Sequence, residues 1–291
     1  MTPTTASYVV VSPIRDEEQH IESTIHSMIR QTVLPKEWII VDDGSTDATG
    51  RIIDEYASRY PWIQVVHRPD RGYRKAGGGV IEAFYAGYRT VTCSDWDFLV
   101  KLDGDLTFES TYFEECFREF DRDRVLGVGG GVICYLVEGQ RILEGAPTFH
   151  VRGATKIYRK ACWNEIGGLL LAPGWDTFDE IKANSLGWAT RSFKDLHLLH
   201  HRETGSADGS WPTCIKYGRA NYICGYHPLF MLCKVVVRLR EKPYIFGSMC
   251  MMYGFLTGYL KRIPRVDDQK TIAYLRRQQF NRLCGRETIW K

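Results

Sequence analysis

The 291-residue sequence contains no Cys-x-x-Cys pair, no internal repeat and no low-complexity block. Its nine cysteines are scattered and odd in number, which excludes a small disulfide-stapled scaffold. They point instead to reduced thiols in a cytosolic compartment. Ahead of the first apolar run, Tyr8–Val11, there is neither a basic region nor a cleavage site, so no signal peptide is expected. The glycines at 72 and 77–79 are not followed by Lys-Ser/Thr, which excludes a Walker-type phosphate loop. Charge of one sign is not in large excess either. The net charge is +3, and no nucleic-acid partner is expected.

What is present is ordinary for a folded chain, 44% hydrophobic and 25% charged. The charge is unevenly spread. Residues 261–291 hold nine Lys/Arg against three Asp/Glu, leaving 29 basic and 32 acidic residues over 1–260. A basic tail of this kind fits contact with anionic lipid or another polyanion.

Apolar runs at Tyr8–Val11, Trp38–Val41, Ile63–Val66 and Phe98–Leu102 read as strands. The first stops at Pro13. Between the strands, Ile21, Ile25, Met28 and Ile29 have helical spacing, as do Ile52, Ile53 and Tyr56, with Ser45 or Thr46 as the cap of the second helix. Strands alternating with helices over short connections predict an α/β fold with a parallel sheet. A glycine-rich loop over 71–79 feeds a helix at Val80–Tyr88, and its Arg71, Arg74 and Lys75 would suit phosphate; flexible surface loops have the same composition. Further on, Phe113, Cys116, Phe117 and Phe120 mark one helix face. Gly127–Tyr135 and Thr148–Tyr158 read as strands, with Gly129–Gly131 a bulge or a place of close ligand approach. Polar residues from Gly174 to Glu180 open a helix ending near Gly187-Trp188. A strand pair, Thr190–Phe193 and Leu196–Leu199, then leads to His200, His201 and Arg202.

The Phe98–Leu102 run ends in Asp103-Gly104-Asp105. Two carboxylates held that close at a strand tip repel unless a cation neutralises them, and hard oxygen donors suit Mg2+ or Mn2+. The same three residue types also make plain polar turns.

Taken in order, Val-Ser-Pro-Ile-Arg-Asp-Glu-Glu (11–18), Val-Asp-Asp-Gly-Ser-Thr-Asp (41–47), Leu-Asp-Gly-Asp (102–105) and an acidic helix start at Asp176 resemble the family 2 glycosyltransferases. The resemblance covers roughly residues 7–205. It implies a single Rossmann-like domain of the GT-A type over 1–206, with a mixed, mainly parallel sheet. A nucleotide-sugar half would occupy about 1–106 and an acceptor half 107–206. It also implies a metal-dependent, inverting transfer from a nucleoside-diphosphate sugar, a UDP-sugar above all, to a hydroxyl of a saccharide or lipid-linked acceptor.

The nucleotide-sugar set is then Pro13, Arg15, Glu17 (or Asp16), Asp42, Asp43, Ser45, Arg71, Lys75, Asp103, Gly104 and Arg202. Asp103 and Asp105 would hold Mn2+ or Mg2+, with His200 or His201 as a further ligand. Counting back from Gly187-Trp188 puts the family's general base on Asp176, with Asp179 and Glu180 as alternatives and Asp176 as a mere helix cap the plain reading. Trp175 stands where the family has a glutamate. Rival readings are transfer to a polyprenyl phosphate, a nucleotidyltransferase, and a non-catalytic protein of the membrane surface.

Beyond residue 206 the resemblance fades. Pro243–Leu260 has no charged residue and is flanked by cations at both ends. That pattern fits an interfacial or re-entrant helix pair on an anionic leaflet, a buried core helix, or a span. Residues 207–291 are expected to form a helical, basic, membrane-associating extension, which would place the protein in the cytoplasm at the inner face of the cell membrane.

Overall fold

A computed structural model of the chain describes residues 6–73, 78–137, 139–202, 210–240 and 244–290. Strands β1 (Tyr8–Ile14), β2 (Glu37–Asp42), β3 (Ile63–His67) and β4 (Phe98–Leu102) lie parallel in the order β3-β2-β1-β4. They are joined through helices α1 (Ile21–Ile29), α2 (Thr49–Arg59) and α3 (Gly79–Tyr88). The runs are apolar at consecutive positions because both faces are covered. Tyr8, Val10, Trp38, Ile40 and Val100 pack under α1 and α2, while Val9, Val11, Ile39, Val41 and Leu99 pack under α3. Pro13 lies inside β1 rather than ending it. The pairing with β4 stops at Val11, so no ladder bond from the proline nitrogen is needed on that side.

The second half adds β5 (Leu106–Phe108), α4 (Tyr112–Arg122), β6 (Leu126–Val137), β7 (Gln140–Leu143), β8 (Thr155–Arg159), α5 (Lys160–Ile166), α6 (Trp175–Ser185) and β9 (Ala189–His200). Past β4 the sheet continues β8-β6-β9-β5, with β7 on β6. β8 runs antiparallel to both neighbours, which makes the sheet mixed.

Four local expectations change. Neither Ser45 nor Thr46 caps α2, which starts at Thr49 after Ala48; both residues instead bond to Asp16. The predicted strand over 148–158 is extended only from Thr155. The predicted strand pair is one strand, β9, in which the register against β6 jumps from Gly131↔Phe193 to Val132↔His197 and loops out the residues between. Of the two readings of Gly129–Gly131, the register jump at Gly131 keeps the bulge, while all three glycines pack against protein rather than lining a ligand approach. A Cβ on Gly129 would meet the Phe193 and Phe120 rings, and one on Gly130 would lie 2.7 Å from the Thr155 carbonyl.

Helices α7 (Ser210–Ile223), α8 (Pro228–Arg238), α9 (Tyr244–Leu260) and α10 (Gln269–Leu283) follow. Their core includes Phe178 and Ile181 of α6, so the extension packs directly on the helix that carries Asp176. Of the predicted segment Pro243–Leu260, Pro243 lies outside the described residues and Tyr244–Leu260 form one helix rather than a re-entrant pair; among the described residues no helix is long and apolar enough to cross a membrane. The glycines of α9 serve close packing, since Gly254 abuts the Ile215 carbonyl and Gly218 of α7 abuts that of Met251. Backbone cannot yield there. Gly254→Ala is therefore expected to cost about 3 kcal/mol, overpacking outweighing a gain in helix propensity of roughly 1 kcal/mol. Chemical denaturation would read the loss, and an unchanged midpoint would contradict the close contact.

Candidate active site

Because β1, β2 and β4 are parallel and adjacent, their C-terminal ends bring residues 13–18, 42–45 and 103–105 to one edge of the sheet. Open α/β sheets bind ligands at that edge. The two β2 aspartates are held differently. Asp42 accepts from the Ser45 amide at 2.8 Å and meets His67 Nδ1 at 3.0 Å. Hydrogen bonds to Asp54 and Asp42 hold the His67 imidazole above its ordinary pKa. Asp43 lies between the guanidinium groups of Arg68 and Arg71, and Arg71 also reaches Glu82 at 3.2 Å. Arg15 donates to the Asp43 carbonyl at 3.2 Å and pairs with Asp70 at 2.7 Å. Lys75, assigned to the same phosphate-facing set, lies outside the described residues, as do Arg74 and Gly77.

Asp16 adopts φ +53°, a left-handed conformation uncommon for a non-glycine residue. Its amide is taken by Ser45 Oγ and its carboxylate by the Thr46 amide. That turn aims Glu17 inward. One Glu17 carboxylate oxygen pairs with Arg202, and the other is buried with no partner among the described residues.

The Asp-Gly-Asp segment is clamped from behind. Thr24 Oγ1 of α1 donates to the Gly104 carbonyl at 2.8 Å and accepts from the Leu106 amide at 3.0 Å. A Cβ on Gly104 would lie 2.6 Å from Ile14, so glycine is required between the two acids for packing. Asp105 accepts from Arg202 Nε at 3.3 Å and meets His200 Nε2 at 3.1 Å. Burial pulls the His200 pKa down, but its bond to Asp105 and the nearby Asp103 and Glu144 carboxylates outweigh that and leave it raised. His200 Nδ1 is buried without a partner among the described residues. His201 is turned away, bonded to Thr107 Oγ1 and stacked on His20 at 5.2 Å. Burial and the neighbouring His20 lower its pKa. Burial likewise lowers that of Arg202.

Asp103 pairs with Lys101, a lysine only 1% exposed inside β4. Lys101 also donates to the Gly153 carbonyl at 2.6 Å. A Cβ on Gly153 would lie 3.4 Å from Asp176 Cβ and 2.9 Å from the Trp175 ring. One lysine and one glycine thus link the β4 acids to the start of α6. Beneath α6, Lys156 of β8 sits directly across the ladder from Lys101. It holds Asp179 and Glu180, each at 2.9 Å, and the Asp176 carbonyl. The ring of Trp175 lies 5.4 Å from the Lys101 ammonium and 5.7 Å from that of Lys156, so an aromatic face serves both cations.

The three α6 acids are therefore not equivalent. Asp179 also accepts from Tyr158 OH at 2.5 Å, while Glu180 accepts from the Val151 amide at 2.7 Å and meets His150 at 2.8 Å. Both have fully buried side chains. Burial pushes the Asp179 carboxyl up to about 6 against the pull of Lys156. Burial lowers the Lys156 pKa, but Asp179 and Glu180 overcome it and leave the ammonium above its ordinary value. Asp176, in the first turn, is partly exposed.

Sequence reading missed Lys101, Lys156, His150 and Gly153. The signal for the first was visible, a lone cation inside a strand otherwise apolar at every position.

Comparison with known proteins identifies the fold and the family. The sequence profile described as Glycosyl transferase family 2 matches residues 9–167. Uncharacterized glycosyltransferase EpsJ of Bacillus subtilis (strain 168) is 31% identical over 122 residues, 42% of this chain but only 33% of that protein. The chain thus matches about a third of that relative's length. Among solved structures, the mannosyltransferase PcManGT from Pyrobaculum calidifontis, in complex with GDP-Man and Mn2+, superposes with a TM-score of 0.57 at 14% identity, covering 96% of this chain and 76% of that one. GalNAc-T7 with UDP, GalNAc and Mn2+ gives a TM-score of 0.61 at 14% identity, covering 89% and 56%. At these identities the likeness is one of fold, and the fold is of the GT-A type. With the profile spanning more than half of its residues, the chain belongs to glycosyl transferase family 2.

Proposed function

We propose that the chain is an inverting glycosyltransferase that moves a sugar from a nucleoside-diphosphate sugar, a UDP-sugar by preference, to an acceptor hydroxyl on a saccharide or lipid-linked molecule. The observation that carries this reading is the link from Asp103 through Lys101 and Gly153 to Asp176. It sets a candidate base beside the acids that would face the donor. On this reading the nucleoside rests on the edge formed by Pro13, Arg15, Glu17, Asp42, Asp43 and Ser45. Arg71, Lys75 and Arg202 supply positive charge for the diphosphate. Asp176 takes the hydroxyl proton as the acceptor oxygen attacks the anomeric carbon. The bond from that carbon to the diphosphate oxygen breaks, its electron pair leaves with the nucleoside diphosphate, and the configuration inverts.

Among the described residues no group of three or more His, Cys, Asp and Glu side chains is set to hold a metal. The donors nonetheless suit Mn2+ or Mg2+. Such ions are commonly held by one or two carboxylates, with substrate phosphates completing the shell. Asp103 and Asp105 are the carboxylates, and His200, whose Nε2 lies 3.1 Å from Asp105, is the better placed of the two histidines, His201 being bonded to Thr107. When bound there, the ion would offset charge on the departing diphosphate. Both structural neighbours carry Mn2+ with a nucleotide or nucleotide sugar, which supports the choice.

Thermal unfolding with uridine and guanosine diphosphates, with and without Mn2+, tests the proposal. Uridine diphosphate with Mn2+ at a hundred times its dissociation constant should stabilise the fold by about 2.7 kcal/mol. Asp103→Ala combined with Asp105→Ala should abolish that gain. Retention of both affinity and its manganese dependence in the double variant would sink the reading.

A further inference from the structure

Helix α9 carries no charged residue, yet the described residues cover only one side of it. Gly247, Ser248, Met251, Gly254 and Gly258 face the protein. Ile245, Met249, Tyr253, Leu256 and Leu260, spaced four, four, three and four apart, form a continuous outward stripe, with Leu260 81% exposed. At its start Phe246 stacks on Trp211 of α7, and that tryptophan is itself 55% exposed. Helix α8, packed against α9, leaves Leu232, Val236 and Val237 open as well. An unbroken apolar surface of this kind marks an interaction site.

Charge decides what covers it. From 226 to 266 the sequence holds seven Lys/Arg and a single acid, Glu241. Exposed cations lie at both ends of the stripe, Arg240 on one side and Lys261, Arg262 and Arg265 on the other. Pairing with a second copy would bring these like charges together. A lipid surface with anionic headgroups matches them. At 17 residues α9 is about 25 Å long, short of the ~30 Å hydrocarbon core, and a spanning helix would put its two cationic ends on opposite leaflets.

We infer that the outward stripe of α9, flanked by Arg240 and by Lys261, Arg262 and Arg265, lies flat in the interface of an anionic lipid leaflet. Residues with apolar tips enter the acyl boundary and the flanking cations meet headgroup phosphates. The consequence reaches the site. α7 packs on α9 and also on the start of α6, where a Cβ on Gly174 would lie 3.4 Å from Ala220 Cβ of α7 and 2.6 Å from Cys224 Sγ just beyond it. Docking would therefore fix α6, which lies behind α7, at a set depth from the lipid plane. The inference does not depend on the sugar-transfer reading, because lipid binding needs no nucleotide.

Vesicle co-sedimentation of the full chain tests it. The protein should pellet with phosphatidylglycerol-containing vesicles, and more weakly with pure phosphatidylcholine. The combined variant Met249→Ser, Tyr253→Ser and Leu256→Ser alters exposed side chains only, and should bind about tenfold or more weakly while melting as the parent does. Arg262→Ala with Arg265→Ala should reduce the preference for the anionic vesicles. Failure of the parent to pellet, or undiminished binding by the triple serine variant, would overturn the inference. So would a salt-resistant dimer in light scattering that the serines dissociate.

Discussion

Asp176→Asn is expected to lower kcat by about a hundred- to ten-thousandfold, with nucleoside-diphosphate affinity nearly unchanged. The asparagine keeps the shape of the side chain but cannot accept the hydroxyl proton. Asp179 and Glu180 cannot substitute. Their side chains are fully buried, and their oxygens are committed to Lys156, Tyr158, His150 and the Val151 amide. Asp176 makes its contact to Lys156 through its carbonyl, not its carboxylate. Steady-state kinetics on the variant, with the released nucleoside diphosphate as readout, separates two outcomes. A collapse of kcat at unchanged affinity supports a base acting on a hydroxyl. Undiminished turnover would mean that the acceptor oxygen arrives already ionised, as on a polyprenyl phosphate, and Asp176 would lose its role.

The largest expected effect on stability lies one layer below. Lys156→Met should cost about 3–5 kcal/mol at neutral pH, because it strands two buried carboxylates without their cation. The pH dependence has a definite sign. With Lys156 in place, burial already raises the Asp179 carboxyl to about 6. Without it the folded-state pKa rises further, so the folded variant binds a proton that the unfolded chain does not bind until the pH nears the ordinary carboxylate value. The deficit is therefore full above the raised pKa and shrinks as the pH falls through it. Urea denaturation of parent and variant near pH 7.5 and near pH 5 would show the gap narrowing. An equal gap at both pH values would mean that lost packing, not stranded charge, is what the lysine prevents.

The stretch from Val100 to Asp105 illustrates what could be read in one dimension. A buried strand announces itself by consecutive apolar residues, and its end by the first acids, so both the strand and its acidic tip were visible. The fate of those acids was not. Asp103 depends on Lys101, which is itself held by a carbonyl 52 residues further on, and Asp105 on His200 and Arg202, nearly a hundred residues on. The pair at His200-His201 was equally ambiguous in sequence. β9 ends at His200 and the chain bends at His201, so one histidine meets Asp105 and its neighbour meets Thr107 and His20.

The C-terminal helices follow the same division. Composition alone could say that residues 244–260 are apolar and flanked by cations. Which side is open follows from the glycines of α9, which let α7 approach closely and hide one face while leaving the other bare. By itself the sequence determined the α/β order, the two-sided apolar strands and the acidic ends that mark the family. These are local patterns, fixed by residue period and turn chemistry. Only the tertiary structure decided which α6 acid is left partly exposed, which lysines hold the site, and which apolar face is left to solvent. Those outcomes depend on partners brought together from distant strands and helices, and no spacing along the chain encodes such distances.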